Sequence, residues 1–271
     1  MSLDDDALHR YARHIVLPEI GGRGQKRLLE ASVLVIGMGG LGAPLTLYLA
    51  AAGIGRLGLV DDDVVDRSNL HRQVIFTEAD IGRPKVEAAA LRLGALAPGC
   101  RLERHPCRLD AAEAQRLIPG YDVVVDGSDN APTRQLVHDA AMRAGRPLVS
   151  ASVQGVDGQL TLYRAYVGPP HPCLHCLFRD APDDAMLPSC AQGGVLGPAA
   201  GLLGCLQAVA VVKVLLGLGP DLSGTLLLVD SLAPAIERMA FARRPECTTR
   251  CAHQPGWESR RPSKRDCRSA A

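Results

Sequence analysis

The sequence predicts an α/β fold: a Rossmann-like, mostly parallel sheet with helices on both faces, and antiparallel strands in the C-terminal half. Three observations lead there. Val33–Ile36 is a short apolar, β-branched run, as expected of a buried strand, and Gly37-Met38-Gly39-Gly40-Leu41-Gly42 follows at once. An Ala- and Leu-rich stretch from Pro44 to Ala52 reads as a helix, and Leu57–Val60 is a second strand ending on Asp61, Asp62 and Asp63. Strand and helix patterns then alternate as far as the strand at Tyr121–Val125.

The strand–glycine turn–helix–strand–acid order has a chemical meaning. Glycines let the chain turn tightly and let a phosphate approach the backbone, and the helix N-terminus offers N–H donors and the positive end of its dipole. Asp61 lies 21 residues after Gly40, a spacing suited to ribose hydroxyls. NAD or FAD is the usual occupant of such a motif, so a dehydrogenase is one reading. No G-x-x-x-x-G-K-[ST] loop is present, so ATP, if used, binds at this turn.

Whole-chain properties narrow the field. The 271 residues suffice for one large core, built from Ala, Val and Leu because aromatics are scarce. A net charge of +1 with both signs mixed gives no reason to expect nucleic acid or an anionic membrane as partner. No charged-then-apolar leader opens the chain, so a cytoplasmic location is expected. The apolar segment from Gly193 to Gly219 is long enough to cross a bilayer, but it holds Pro198, Gln207 and Lys213, and reads as a helix buried in the domain.

In chain order, Asp4–Leu17 shows a helical pattern through Leu8, Tyr11 and Ile15, and on spacing alone its Arg13 reads as part of a solvated face. Gly21-Gly22 reads as a break before a short helix from Gln25 to Ala31. Ser68 and Asn69 are turn or cap residues just beyond the second strand, where Arg67 and Arg72 stand at the ligand-binding edge of an open sheet. Pro84 suits the first turn of a helix running to about Ala97. Lys85 opposes that helix's dipole, which suggests that it faces an anion. Arg101–Leu109 reads as a third strand.

The fourth strand ends in Asp126-Gly127-Ser128-Asp129-Asn130, a second acidic cluster on the rim of Asp61. Carboxylates beside phosphates are what Mg²⁺ needs, and one of Asp129 and Asn130 is expected to cap the next helix, from Thr133 to Ala144, leaving the other for chemistry. Leu148–Val153 and Gly158–Arg164 suit a hairpin, and Thr225–Ser231 and Ala235–Ala242 are late strands. From Gln254 the chain is polar and basic and reads as a disordered tail.

Nine cysteines are present. Cys173-x-x-Cys176 and Cys247-x-x-x-Cys251 are two pairs that can close a structural tetrahedral zinc site, with His175 and His253 as substitute ligands. Cys190 has no partner at metal spacing and precedes a helix whose dipole favours its thiolate.

These pieces together resemble the MoeB/ThiF/HesA adenylyltransferases, relatives of the ubiquitin-activating enzymes, from about Arg10 to His253. The segments that carry the resemblance are RYARHIVLPEIG, GMGGLG, LVDDDVVDRSNLHRQ, IGRPKVEAA, DGSDNAPTR, CLHC, LPSCAQGGVLGP and the final cysteine pair. It implies a single adenylation domain over 1–253, with a nucleotide half to about 150, a carrier-binding and zinc half from about 151, and a tail from 254. It implies ATP, Mg²⁺ and Zn²⁺, and activation of the C-terminal glycine carboxylate of a ubiquitin-like sulfur-carrier protein ending in Gly-Gly, in the molybdopterin, thiamine or a related pathway.

By the same resemblance Gly37, Gly39, Gly40 and Gly42 form the nucleotide turn, and Asp61 holds ribose, with Asp63 beside it. Ser68, Asn69, Arg72 and Lys85 meet the triphosphate, and Asp129 holds magnesium beside Asn130. Arg13 reaches the ATP of the other subunit in a homodimer, which replaces the solvated-face reading. Cys173, Cys176, Cys247 and Cys251 bind zinc, with one residue more in the second pair than a CxxC. Cys190 is the loop cysteine that forms a thioester or persulfide in some members. A sulfurtransferase or cysteine desulfurase would then supply sulfur. A family member acting on a tRNA base or small molecule, and an NAD-dependent oxidoreductase, are the alternatives.

Overall fold

The computed structural model describes residues 3–178, 194–245 and 247. Its centre is β1 (Ser32–Ile36), in which every residue is buried. Around it the sheet takes the order β3-β2-β1-β4-β5-β6-β7-β8, with β2 Arg56–Val60, β3 Arg101–His105, β4 Val123–Asp126, β5 Leu148–Gln154, β6 Asp157–Tyr163, β7 Thr225–Asp230 and β8 Ala235–Ala240. Neighbours from β3 through β5 are parallel, and those from β5 to β8 are antiparallel. The Rossmann-like arrangement, the hairpin and the late strands are thus as the sequence indicates, and one continuous sheet runs through both halves.

The helices are α1 (Asp5–Arg10), α2 (Ala12–Ile15), α3 (Gly21–Glu30), α4 (Gly42–Ala51), α5 (Lys85–Leu96), α6 (Ala111–Leu117), α7 (Ala131–Arg143), α8 (Leu174–Leu177) and α9 (Gly197–Leu216). One apolar cluster joins β1, β2, α4, α5 and α9, and a second joins β4, α6, α7 and the cysteine-bearing segment on the other face.

Four local expectations are corrected. The single helical pattern over Asp4–Leu17 is two helices, because Tyr11 leaves helical geometry (φ −102°, ψ 15°) and is buried where a Cβ on Gly53 would meet its ring. Gly21-Gly22 does not break the chain but opens α3. Gly24 in that helix is where Ile20 and Leu216 close in. The third strand ends at His105 because Pro106 has no N–H to extend the ladder. Pro84 is the cap of α5 and Lys85 its first residue.

Helix α9 is long and apolar enough to cross a membrane, yet half of its most apolar stretch is buried in the protein. It packs on α4 closely enough that a Cβ on Gly204 would strike the Leu41 carbonyl, and its buried Gln207 donates to the Asp126 carbonyl at 2.9 Å. The expected tail from 254, together with Cys190, Cys251 and His253, lies outside the described residues.

Candidate functional site

A cavity of about 890 Å³ opens at the carboxyl edge of the parallel strands, where α/β sheets bind ligands. The glycine turn forms its floor. Gly37 has φ +90°, a backbone state that favours glycine, and a Cβ on Gly42 would run into the Gly37 carbonyl. Gly37, Gly39 and Gly40 line the cavity, whereas Gly42 lies buried beneath and serves the turn itself. Gly40 is covered by Ala200 of α9, whose Cβ would sit 3.2 Å from an added Cβ, and by the Arg72 side chain.

On one wall, Asp61 accepts the Met38 N–H of the turn at 2.6 Å and the Asp63 N–H at 2.9 Å. Burial raises the Asp61 pKa, opposed by the Lys85 charge and by these two N–H donors. The Lys85 ammonium donates to Asp63 Oδ2 at 2.8 Å. Only 6% of the Lys85 side chain is exposed, against 68% for Asp63. The anion that the sequence expected beside Lys85 is therefore present as this carboxylate. Asn69 and Arg72 reach the cavity, and Arg72 is steadied by the Ser68 carbonyl at 2.9 Å. Ser68 does not line it: its N–H and hydroxyl both serve Asp66 Oδ1, at 2.8 and 2.6 Å.

On the facing wall, Asn130 is the cap of α7, accepting the Thr133 N–H at 2.9 Å. The exposed Asp129 is left lining the cavity. Arg13 is exposed on α2 and is not among the lining residues.

Three features were not read from the sequence. Asp126, fully buried, accepts the Ser128 N–H (3.0 Å) and hydroxyl (2.5 Å), the Ser150 hydroxyl (3.0 Å) and Arg134 Nε (3.1 Å). The signal was available: an acid ending an apolar strand needs a buried cation, and Arg134 follows one helical turn into α7. Second, the buried Gln73 lines the cavity beside Gly39. Third, His138, Asp139 and His175 form a network, with His138 Nδ1 3.0 Å and His175 Nε2 3.1 Å from Asp139 Oδ1. His138 Nε2 accepts the Leu174 N–H at 3.1 Å, so the ring is neutral with its proton on Nδ1, and neither nitrogen is left to ligate a metal. Burial works against the Asp139 carboxylate, but the two histidine hydrogen bonds hold its pKa down at about 2.

The cysteine pairs converge as far as they are described. Cys173 Sγ lies 3.7 Å from Cys176 Sγ and 3.6 Å from Cys247 Sγ, all three residues buried. Zinc–sulfur bonds of about 2.3 Å at tetrahedral angles place sulfurs about 3.8 Å apart, so this trio fits the metal. Burial works against a thiolate at Cys176, yet backbone hydrogen bonds at Cys173 and Arg244 and the neighbouring thiols bring its pKa below the ordinary value.

A parallel sheet with a glycine turn, a ribose-type acid and cations converging on one edge defines a nucleotide-binding α/β domain. The chain belongs to the ThiF family, whose model matches residues 11–249. It is 45% identical to the sulfur carrier protein adenylyltransferase of Thermus thermophilus, over 92% of this chain and 93% of that one. It is 44% identical to the SAMP-activating enzyme E1 of Haloferax volcanii, covering 91% and 90%. With the adenylyltransferase and sulfurtransferase MOCS3 of Sus scrofa it shares 50% identity over 94% of this chain, but spans only 55% of that protein. Among solved structures, E. coli MccB crystallised with ATP superposes with a TM-score of 0.77 at 23% identity, over 89% of this chain and 74% of that one, a likeness of fold. The family resemblance carried by the sequence motifs is borne out.

Proposed function

We propose that this protein uses ATP to adenylate the C-terminal glycine carboxylate of a ubiquitin-like sulfur-carrier protein, releasing pyrophosphate. The observation that carries it is the convergence of the Gly37–Gly40 turn, Asp61, Asn69, Arg72, Lys85 and Asp129 around one cavity. The relative named sulfur carrier protein adenylyltransferase supplies the substrate class.

The chemistry asks little of the protein in proton transfer. The nucleophile is a carboxylate, already ionised at neutral pH. One of its oxygens bonds to the α-phosphorus, the bond from that phosphorus to the bridging oxygen breaks, and the electron pair leaves on pyrophosphate. What is needed is stabilisation of charge on the phosphoryl oxygens and the leaving group. Asp61 suits the ribose hydroxyls, and Asn69, Arg72 and Lys85 suit the phosphates. Asp129, exposed and acidic on the opposite wall, fits a cation-holding role, and Mg²⁺ bound there would supply countercharge to the phosphates.

In this reading zinc, bound by Cys173, Cys176, Cys247 and Cys251, is structural. Arg13, which does not line its own cavity, serves the site of a second subunit in a homodimer. Cys190 acts afterwards, its thiolate attacking the acyl carbon of the adenylate and displacing AMP. A separate sulfurtransferase or cysteine desulfurase is the sulfur source.

Pyrophosphate–ATP exchange tests the reading. Exchange that requires both Mg²⁺ and a carrier ending in Gly-Gly, with no reduction of NAD, supports it. NAD binding without ATP binding overturns it.

A further inference from the structure

The cations assigned to the phosphates leave the other reactant without a partner. That reactant is a carboxylate, and two further guanidiniums line the cavity: Arg108, which is exposed, and Arg134, which is held in place by hydrogen bonds. Arg134 of α7 lines it, with 19% of its side chain exposed. Its Nε donates to buried Asp126, and its Nη2 donates to the Ser128 carbonyl at 2.9 Å and the Ala151 carbonyl at 3.2 Å. Nη1 has no hydrogen-bond partner among the described residues, and it is not a buried atom. The side chain is thus fixed on two sides, with one nitrogen left for the cavity.

Its position is also selective. Arg134 bridges the loop of Asp129 to the middle of β5, and from there the lining continues through Ser152, Gln154 and Gln159. Lys85 and Asp61 belong to the other wall, at the end of β2 and the start of α5.

We infer that Arg134 is a further substrate-contacting residue, whose Nη1 donates to the carboxylate oxygen that does not attack. This rests on the adenylation reading. The non-attacking oxygen becomes the acyl carbonyl of the product, so a donor there holds the same atom from encounter to acyl adenylate. Asp126 is what makes this compatible with reaction. An unpaired arginine would hold the nucleophile's charge in the ground state, whereas the buried ion pair is nearly neutral overall and orients without quenching. Phosphate, with its higher charge, is served by the cations of the other wall.

Two probes separate the contact from a general effect on the nucleotide. Glycylglycyl-sulfamoyladenosine carries the acyl carbonyl, and sulfamoyladenosine lacks it. Binding of both is measured by calorimetry on wild type, on Arg134→Lys, and on the doubly neutral Asp126→Asn/Arg134→Gln. The double variant avoids leaving a buried acid unpaired, and its melting temperature is checked alongside. The expected result is a loss of about tenfold or more in affinity for the glycylglycyl compound in both variants, with sulfamoyladenosine unchanged. Equal losses for both compounds would mean that the pair only shapes the nucleotide loop, and would overturn the contact. So would no loss in folded variants. Failure of wild type to bind either compound would instead strike the adenylation reading, and this inference with it.

Discussion

The Lys85 ammonium lies 2.8 Å from the Asp63 carboxylate, an ion pair with its cation buried and its anion in solvent. A buried lysine at the first turn of a helix is held there at the expense of the helix dipole. The exposed carboxylate is easily displaced by a more highly charged phosphate. Lys85→Ala should therefore lower pyrophosphate exchange by roughly two or more orders of magnitude, a loss of a few kcal/mol of transition-state stabilisation. Asp129→Ala should do the same through the metal requirement. Exchange rates at saturating Mg²⁺ check both, and near-wild-type rates would remove these residues from the mechanism.

Elemental analysis should find one zinc per chain. The Cys247→Ser/Cys251→Ser double variant should lose it and melt at a lower temperature, since the bound metal ties the segment near β8 to α8. Full zinc in that variant would show that other groups hold the metal.

Arg13 does not line its own cavity, so the role proposed for it at ATP is one played across a dimer interface. Arg13→Ala and Lys85→Ala should each be inactive alone, and mixing them should restore part of the activity through sites that keep both residues. No recovery after verified subunit exchange would count against action across an interface.

Cys190→Ala should leave pyrophosphate exchange nearly intact, because carboxylate attack on phosphorus gives a thiol nothing to do. If covalent transfer occurs, the same change should abolish a reductant-sensitive conjugate with the carrier. Among the described residues, the thiols outside the zinc set are poor substitutes: burial pushes Cys100 up to about 11 and raises Cys107 and Cys205 as well. Loss of exchange in a folded Cys190→Ala protein would refute this order of events.

Asp139 makes stability depend on acid. Its folded pKa of about 2 lies below the ordinary carboxylate value, so its ionisation favours the fold. That contribution is complete above about pH 4 and is lost as the pH falls toward 2. Asp139→Asn should flatten this part of the profile of urea midpoint against pH, and an unchanged slope would show that other carboxylates control it.

The parallel half of the fold was legible because its signals are local. The glycine turn, the apolar strands and the acids at their ends lie within short windows, and Lys85 betrayed itself by opposing a dipole. Arg134 and His138 were not legible, because each is defined by a partner on another element: Asp126 and Ala151 for one, the Leu174 N–H for the other. Ser68 was misplaced for the opposite reason. Its motif puts it beside Asn69, but a local hydrogen bond to Asp66 turns it away from the cavity.

The lid that α9 places over Gly40 has a consequence for how the protein is made. The glycine turn and α4 emerge from the ribosome early, but Ala200 and Leu203, which cover them and β6, come some 160 residues later. At about 5–20 residues per second, the apolar face of α4 stays open for roughly ten to thirty seconds of synthesis. During that interval the nascent chain presents a surface suited to a chaperone, and the nucleotide cavity is still without its cover.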